Sequence, residues 1–185
     1  MRNAAGFELS KMIGMAWTPE VRPLELVMNG DYIGLYFLTE HIRVDKDRVN
    51  IVEQEDEETD AQKITGGWLV EIDNYDSDPH ITIKEGGKTT MWVTYKTPEV
   101  LSSAQEAYLT NQIQLLDNLI YGDKNSDELW QHLDIDALAR FYIVQEIVDN
   151  YESFHGSCYL YKDMGDDQKW KFGPVWDFGS SFNRD

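Results

Sequence analysis

A single cysteine, Cys158, is the only thiol in this 185-residue chain. That excludes an intrachain disulfide framework and any zinc site built from several cysteines. Basic residues are scarce too: 16 Lys and Arg stand against 34 Asp and Glu, for a formal net charge of -18. A nucleic-acid backbone would meet repulsion instead of the counterion release that drives its binding, so nucleic acid is not an expected partner. The same field works against a free nucleotide, so a polyphosphate ligand would have to arrive with a divalent cation. No stretch approaches the roughly 18 apolar residues of a membrane span, and no charged-then-apolar leader opens the chain. A Gly-x-Ser-x-Gly elbow is absent, which sets aside serine hydrolysis. Internal repeats and dividing linkers are absent as well, so one domain over residues 1–185 is expected.

What the chain does contain is an ordinary globular composition, 42% hydrophobic, with seven Phe, six Trp and ten Tyr to build a core. Arg2 to Leu9 has the composition of a helix already under way, with Gly14 as its C-terminal stop. So abrupt an opening, and an end at Asp185 just after a dense motif, suggest a fragment lacking upstream strands and a downstream segment. Pro23–Met28 and Tyr32–Thr39, joined through Asn29-Gly30-Asp31, form a predicted hairpin, since Asn-Gly favours the tight turn. A short strand is expected near Val49–Val52. Six acids in the eight residues Glu53–Asp60 predict a solvated loop. Strands follow at Trp68–Asp73, His80–Lys84 and Thr90–Tyr95, with Gly86-Gly87 turning between the last two.

Beyond Thr97-Pro98 the apolar spacing becomes helical, from Leu101 to Ile120, with Thr97 as N-cap and Pro98 in the first turn. Ser126-Asp127-Glu128 opens a short predicted helix. Asp134 caps another, running to about Val148, whose Phe141–Val144 run predicts a buried position. Tyr159–Asp163 and Lys169–Phe172 form a second predicted hairpin, and Gly173-Pro174 leads into a final loop from Val175 to Arg184. The fold class is therefore α+β, a sheet-rich N-terminal half followed by a helical C-terminal half.

The segment Val175-Trp176-Asp177-Phe178-Gly179 is the most suggestive of chemistry. A carboxylate after a strand, between two aromatics and before a glycine, is suited to holding a metal ion over a phosphate. Asn150-Tyr151-Glu152, at the end of the predicted buried helix, supplies a second carboxylate that the intervening hairpin can bring to the same rim. One carboxylate would take the proton of an attacking hydroxyl and the other would hold the metal.

The ordered set Met1-Arg2-Asn3-Ala4, Asn29–Tyr36, Leu38-Thr39-Glu40, Gly66–Asp73, Asn150-Tyr151-Glu152, Tyr159–Asp163 and Gly173–Phe178 resembles the CotH spore-coat kinase family nearly end to end. The resemblance implies a divergent, atypical protein-kinase-like fold that binds ATP with Mg or Mn and phosphorylates Ser or Thr hydroxyls of a protein substrate. It also implies an extracellular or cell-envelope location. Residue by residue, Asp177 and Asn150 would hold the metal, and Glu152 stands where the family has a catalytic Asp. Lys84, Glu40 and Trp176 would contact the nucleotide. The family's phosphate-contacting lysine falls at or near Glu71, with Lys84 the nearest substitute, and Gly179 stands where the family commonly repeats an Asp. These departures leave open a catalytically silent module that binds a protein or glycan partner.

Simpler roles stand beside each of these. Asp177 could cap a turn, Asn150 could cap a helix, and Glu152 could be a helix-end acid. Glu40 could hold a basic residue or lie at the surface, while Trp170, Trp176, Phe178 and Cys158 could be packing residues. Asn74-Tyr75-Asp76-Ser77-Asp78 alternates oxygen ligands but lacks the glycine and terminal Glu of a calcium loop. Glu152 and His155 have the spacing of a metal pair without a second pair to complete it.

Overall fold

The computed structural model describes residues 1–75, 78–122 and 127–182. Helix α1 (Arg2–Ile13) ends where Gly14 takes the left-handed conformation, φ 80°, and its N–H closes back on Lys11. Strands β1 (Val21–Met28) and β2 (Asp31–Thr39) form a two-stranded antiparallel ribbon. Its turn residues, Asn29 and Gly30, have φ of 53° and 91°, as the Asn-Gly pair requires. The main sheet contains β3 (Trp68–Ile72), β4 (His80–Glu85), β5 (Thr89–Thr97), β6 (Cys158–Lys162) and β7 (Lys171–Phe172) in the order β4-β5-β3-β6-β7. Every pairing within it is antiparallel. The architecture is thus α+β, but the sheet is not confined to the first half, because β6 and β7 complete it from the second.

Helix α2 (Ser103–Tyr121) begins later than the apolar spacing suggested. Thr97 is the last residue of β5, and Ser102 is the N-cap, exchanging hydrogen bonds with Gln105 in a full capping box. A one-turn helix, α3 (Leu129–His132), precedes α4 (Ile135–Ile147), whose N-cap Asp134 accepts the Ala137 N–H at 2.9 Å. Ser126, expected to open the short helix, lies outside the described residues. Helix α4 is less buried than its composition predicts: Phe141, Val144 and Gln145 face inward, while Tyr142, Ile143 and Ile147 are exposed. The predicted strand at Val49–Val52 does not form; Val49 makes one isolated bridge to Val44 and the rest is irregular.

Alternation along β3 divides the interior into two layers. Trp68 and Val70 join the larger core with Val93, Leu109, Phe141 and Phe172, between the sheet and the helices. Leu69 points the other way, into a smaller cluster with Tyr159, Ile42, Val44 and Val49. Both faces of β3 are therefore covered, and Trp68, Leu69 and Val70 are fully buried.

The acidic run is a loop, as expected, yet it is anchored. Gln54 is buried, donating to the Gly66 carbonyl and accepting from Gln105 at 2.7 Å. Asp56 caps the Glu99 and Val100 N–H groups, and Glu58 pairs with Lys63 at 3.2 Å. Gly66, just before β3, leaves no room for a side chain: a Cβ there would lie 1.8 Å from the Asp163 carbonyl oxygen. Gly66→Ala is therefore expected to cost roughly 3 kcal/mol or more, or to prevent folding. Gly87→Ala, which meets open space at φ 71°, should cost only about 1 kcal/mol. Urea denaturation of the two variants checks both, and equal losses would contradict the packing described.

Candidate functional site

Strand direction builds one end of the sheet. β6 runs antiparallel to both neighbours, so its first residue, Cys158, lies beside Ile72 at the end of β3. On the other side the Gly173 N–H, just past β7, donates to the Tyr159 carbonyl at 2.9 Å. The chain leaving β3, the chain entering β6 and the chain leaving β7 consequently meet at one rim. Asn74 N–H donates to His155 O at 3.2 Å, and the Tyr75 and His155 rings lie 6.1 Å apart, which ties the end of β3 to the loop carrying Glu152.

Asn150 and Glu152 lie in the turns after α4, not in the helix itself. The helix is closed by Val148, and the left-handed residue is Asp149, φ 51°, so Asn150 is not its cap. Asn150 is buried. Its Nδ2 donates to Gln145 Oε1 at 2.9 Å and to the Asp177 carbonyl at 3.2 Å. Its Oδ1 is buried and has no hydrogen-bond partner among the described residues. Glu152, half-buried, accepts a hydrogen bond from Ser180 on the loop that follows Asp177. Both residues are thus bonded to the Asp177 loop.

Asp177 is exposed and sits at φ 45°, a left-handed position that Asp tolerates better than most side chains. One carboxylate oxygen, Oδ1, accepts the Gly179 N–H at 2.8 Å, so Asp177 does cap its own turn. Helix α1 holds this loop from beneath. Asn3 Oδ1 accepts the Phe178 N–H at 2.9 Å, and Arg2 donates to the Gly179 carbonyl. Phe7 packs on Trp176 and Phe178, each at 5.8 Å between ring centroids. Gly6 is small because Phe178 lies over it; a Cβ there would come within 2.4 Å of the ring. Trp176 also touches the smaller core cluster and is half-buried, whereas Phe178 and Trp170 are fully buried.

The remaining candidates are dispersed. Glu40 binds the Glu20 N–H at 2.9 Å and Arg48 at 3.5 Å, closing the base of the β1–β2 ribbon. Lys84 is exposed on edge strand β4 and bonds Thr90 at 3.2 Å. Strand β4 lies four strand spacings, about 19 Å, from β7, so the sheet does not bring Lys84 to Asp177. Part of the Asn74–Asp78 segment, namely Asp76 and Ser77, lies outside the described residues, as do Asn183 and Arg184 of the final loop. Cys158 is wholly buried, and burial pushes its thiol well above the ordinary range. No cluster of three or more His, Cys, Asp or Glu suited to a metal occurs among the described residues.

A lysine that the sequence analysis passed over, Lys96, pairs with Glu71 on β3. In the β3–β5 ladder Leu69 faces Thr97 and Val70 faces Tyr95, so Lys96 is the extra residue of a β-bulge. Bulges re-aim side chains. Lys96 Nζ reaches Glu71 Oε2 at 3.1 Å and Asp78 Oδ2 at 2.9 Å. Burial raises the Glu71 pKa, opposed by Lys96 and by a hydrogen bond from Tyr159. Burial also works against the charge on Lys96, but Asp78 and Glu71 outweigh it and raise its pKa. The signal for this pairing was slight: one basic residue closing the run Met91–Lys96, with no sequence mark of the bulge.

The raised carboxyl has a definite consequence for stability. A folded-state pKa above the unfolded value means that the stability owed to Glu71 is full below the unfolded pKa, about 4.3, and is lost as pH rises through the folded one. Lys96→Met removes the charge that holds this carboxyl down. The variant is expected to lose roughly 2–4 kcal/mol at about pH 8 and to regain much of it near pH 5, as Glu71 takes up a proton. Denaturation midpoints at the two pH values check this; a loss independent of pH would contradict it.

Comparison with known proteins bears on the family. No curated protein matches the chain. The family model described as CotH kinase protein matches residues 1–185, the whole chain. A chain matched over its full length, with Asn150, Glu152 and Asp177 carried to one rim of its sheet, belongs to the CotH kinase protein family.

Proposed function

We propose that this chain is an atypical protein-kinase-like phosphotransferase domain that binds ATP with Mg or Mn at the rim formed by Asn150, Glu152 and Asp177. The observation that carries the reading is the bonding of both Asn150 and Glu152 to the Asp177 loop, beside a buried and unpartnered Asn150 Oδ1. A buried carbonyl oxygen without a donor is costly unless something else supplies positive charge, and hard oxygen donors suit Mg and Mn. The oxygen chemistry of these residues supports a hard cation here. Asp177 and Asn150 would hold it, and phosphate and water oxygens would complete a shell that Mg rarely fills from protein alone.

A bound divalent ion supplies charge neutralisation at the phosphate oxygens. The protein's own part is positional. Glu152 accepts the proton of an acceptor Ser or Thr hydroxyl, and its hydrogen bond from Ser180 fixes the carboxylate's direction. Lys96, braced by Glu71, replaces Lys84 as the candidate phosphate contact, in the manner of the lysine–glutamate pair of protein kinases. Trp176, which packs on Phe7 beside the Asp177 loop, stays a candidate nucleotide contact, as does Glu40, whose carboxylate pairs with Arg48. The family resemblance favours an extracellular or envelope setting with a protein substrate.

A second reading is a silent surface module that recognises a protein or glycan. One observation favours it: Asp177 Oδ1 and a Glu152 oxygen already hold internal hydrogen bonds, and Gly179 offers no second carboxylate.

Calorimetric titration with ATP and Mn, together with transfer of labelled phosphate to a general protein substrate, separates the two. Under the proposal the wild type binds the nucleotide only with metal. Asp177→Asn, which keeps the left-handed turn, should weaken binding by at least about tenfold, and Glu152→Gln should retain binding while losing most transfer, on the order of a hundredfold. Absence of metal-dependent binding, or unchanged behaviour in Asp177→Asn, would contradict the proposal; binding without transfer in the wild type would leave the silent module.

A further inference from the structure

A cavity of about 400 Å³ lies on the face of the β6–β7 hairpin that carries Tyr161, between the Met15–Trp17 segment, Val49–Ile51 and the start of α4. It is separate from the Asp177 rim and includes neither Asp177 nor Glu152. Its walls combine apolar surface from Met15, Trp17, Ile51 and Phe172 with three cationic side chains, Arg48, Arg140 and Lys171. In a chain with a formal charge of -18, three cations set against the three carboxylates Asp134, Asp136 and Asp163 leave this cavity wall formally neutral, less acidic than the molecule as a whole.

Charge accounting shows which groups remain for a ligand. Arg48 is committed to Glu40 and Asp45, each at 3.5 Å. Arg140 donates to the Gly14 carbonyl, a neutral group, and Lys171 lies 6.0 Å from the centre of the Tyr161 ring. Neither Arg140 nor Lys171 is in an ion pair among the described residues. The acids on the walls are oriented by backbone donors: Asp134 caps the Ala137 N–H, and Asp163 accepts the Val52 and Met164 N–H groups at 2.8 Å each. All three carboxylates keep their charge, and Asp136 lies one turn before Arg140.

We infer that this cavity binds a small organic or inorganic anion, a carboxylate or phosphate, between Arg140 and Lys171, independently of metal and of the Asp177 rim. Two cations with no ion-pair partner among the described residues, set against apolar walls that exclude part of the water, give a charge-assisted hydrogen bond more strength than it has at an open surface. The aromatic walls at Trp17 and Tyr161 allow the anion to carry a flat apolar body. The inference stands whether or not the chain transfers phosphate.

The test titrates the intact chain, in metal-free buffer, with pyrophosphate and in parallel with citrate, following heat and Trp fluorescence. Saturable binding of either probe is expected, weakening as salt rises, and the tighter of the two identifies phosphate or carboxylate as the natural chemistry. Lys171→Met and Arg140→Gln should each weaken it by about tenfold. Arg140→Gln loses its bond to Gly14, so its melting temperature is read alongside, and Lys171→Met carries the result if the other variant unfolds. Asp177→Asn should bind the anion as the wild type does. Binding of neither probe, wild-type binding in Lys171→Met, or loss of binding in Asp177→Asn would each overturn the assignment.

Discussion

Pairing of β3 with β6 is the contact on which the whole arrangement turns. It joins residues from the two halves of the chain, setting Glu71 beside Tyr159 and Ile72 beside Cys158. Without it the first half would be a sheet with an open edge, and the β6–β7 hairpin would have nothing to extend. Because β6 is antiparallel to both neighbours, this one register determines that the exits of β3 and β7 lie at the same end as the turns carrying Asn150 and Glu152. A slip of one residue would send Glu71 to the helical face and Val70 out of the core. The apolar side chains of β3, fully buried on both faces, oppose such a slip.

Around that register, packing and polar bonds divide the work. Phe7, Gly6, Asn3 and Arg2 on α1 hold the Trp176–Gly179 loop by ring contact, close approach and two side-chain hydrogen bonds to its backbone. Asn150 donates to the Asp177 carbonyl of the same loop. A loop with a non-glycine residue at φ 45° costs energy unless its surroundings impose it, and here a helix, a buried amide and a capped turn all do so. The outcome is a fixed backbone beneath an exposed carboxylate, which the proposed role of Asp177 requires.

Local signals made much of the fold legible. Gly14 and Asn29-Gly30 specify backbone conformations that few other residues adopt, so α1 and the first hairpin could be placed from sequence. Asp134 likewise marks the start of α4. Legibility failed where distant contacts decide. The run Val49–Val52 lacks a partner strand and stays irregular, with Val49 held by packing and by its single bridge to Val44. Thr97-Pro98 looks like a helix start, but β5 pairing claims Thr97 and the stronger capping box at Ser102 starts the helix. Tyr142 and Ile143 are apolar yet exposed, since only one stripe of α4 faces the sheet. At the site, Asp177 and Glu152 were readable as motif residues. Lys96 was not, because a bulge is a property of two strands in register and neither strand reveals it alone.

The family assignment rests on the whole chain, whereas the chemistry rests on a few groups at one rim. That rim is addressed most directly by adding Mn with ATP to isotope-labelled protein and recording which backbone amide signals broaden through proximity to the paramagnetic ion. The account predicts loss of the signals of Asn150, Glu152, Phe178 and Gly179, with those of β4 near Lys84 preserved. Broadening centred elsewhere, or none at saturating ATP and Mn, would contradict it.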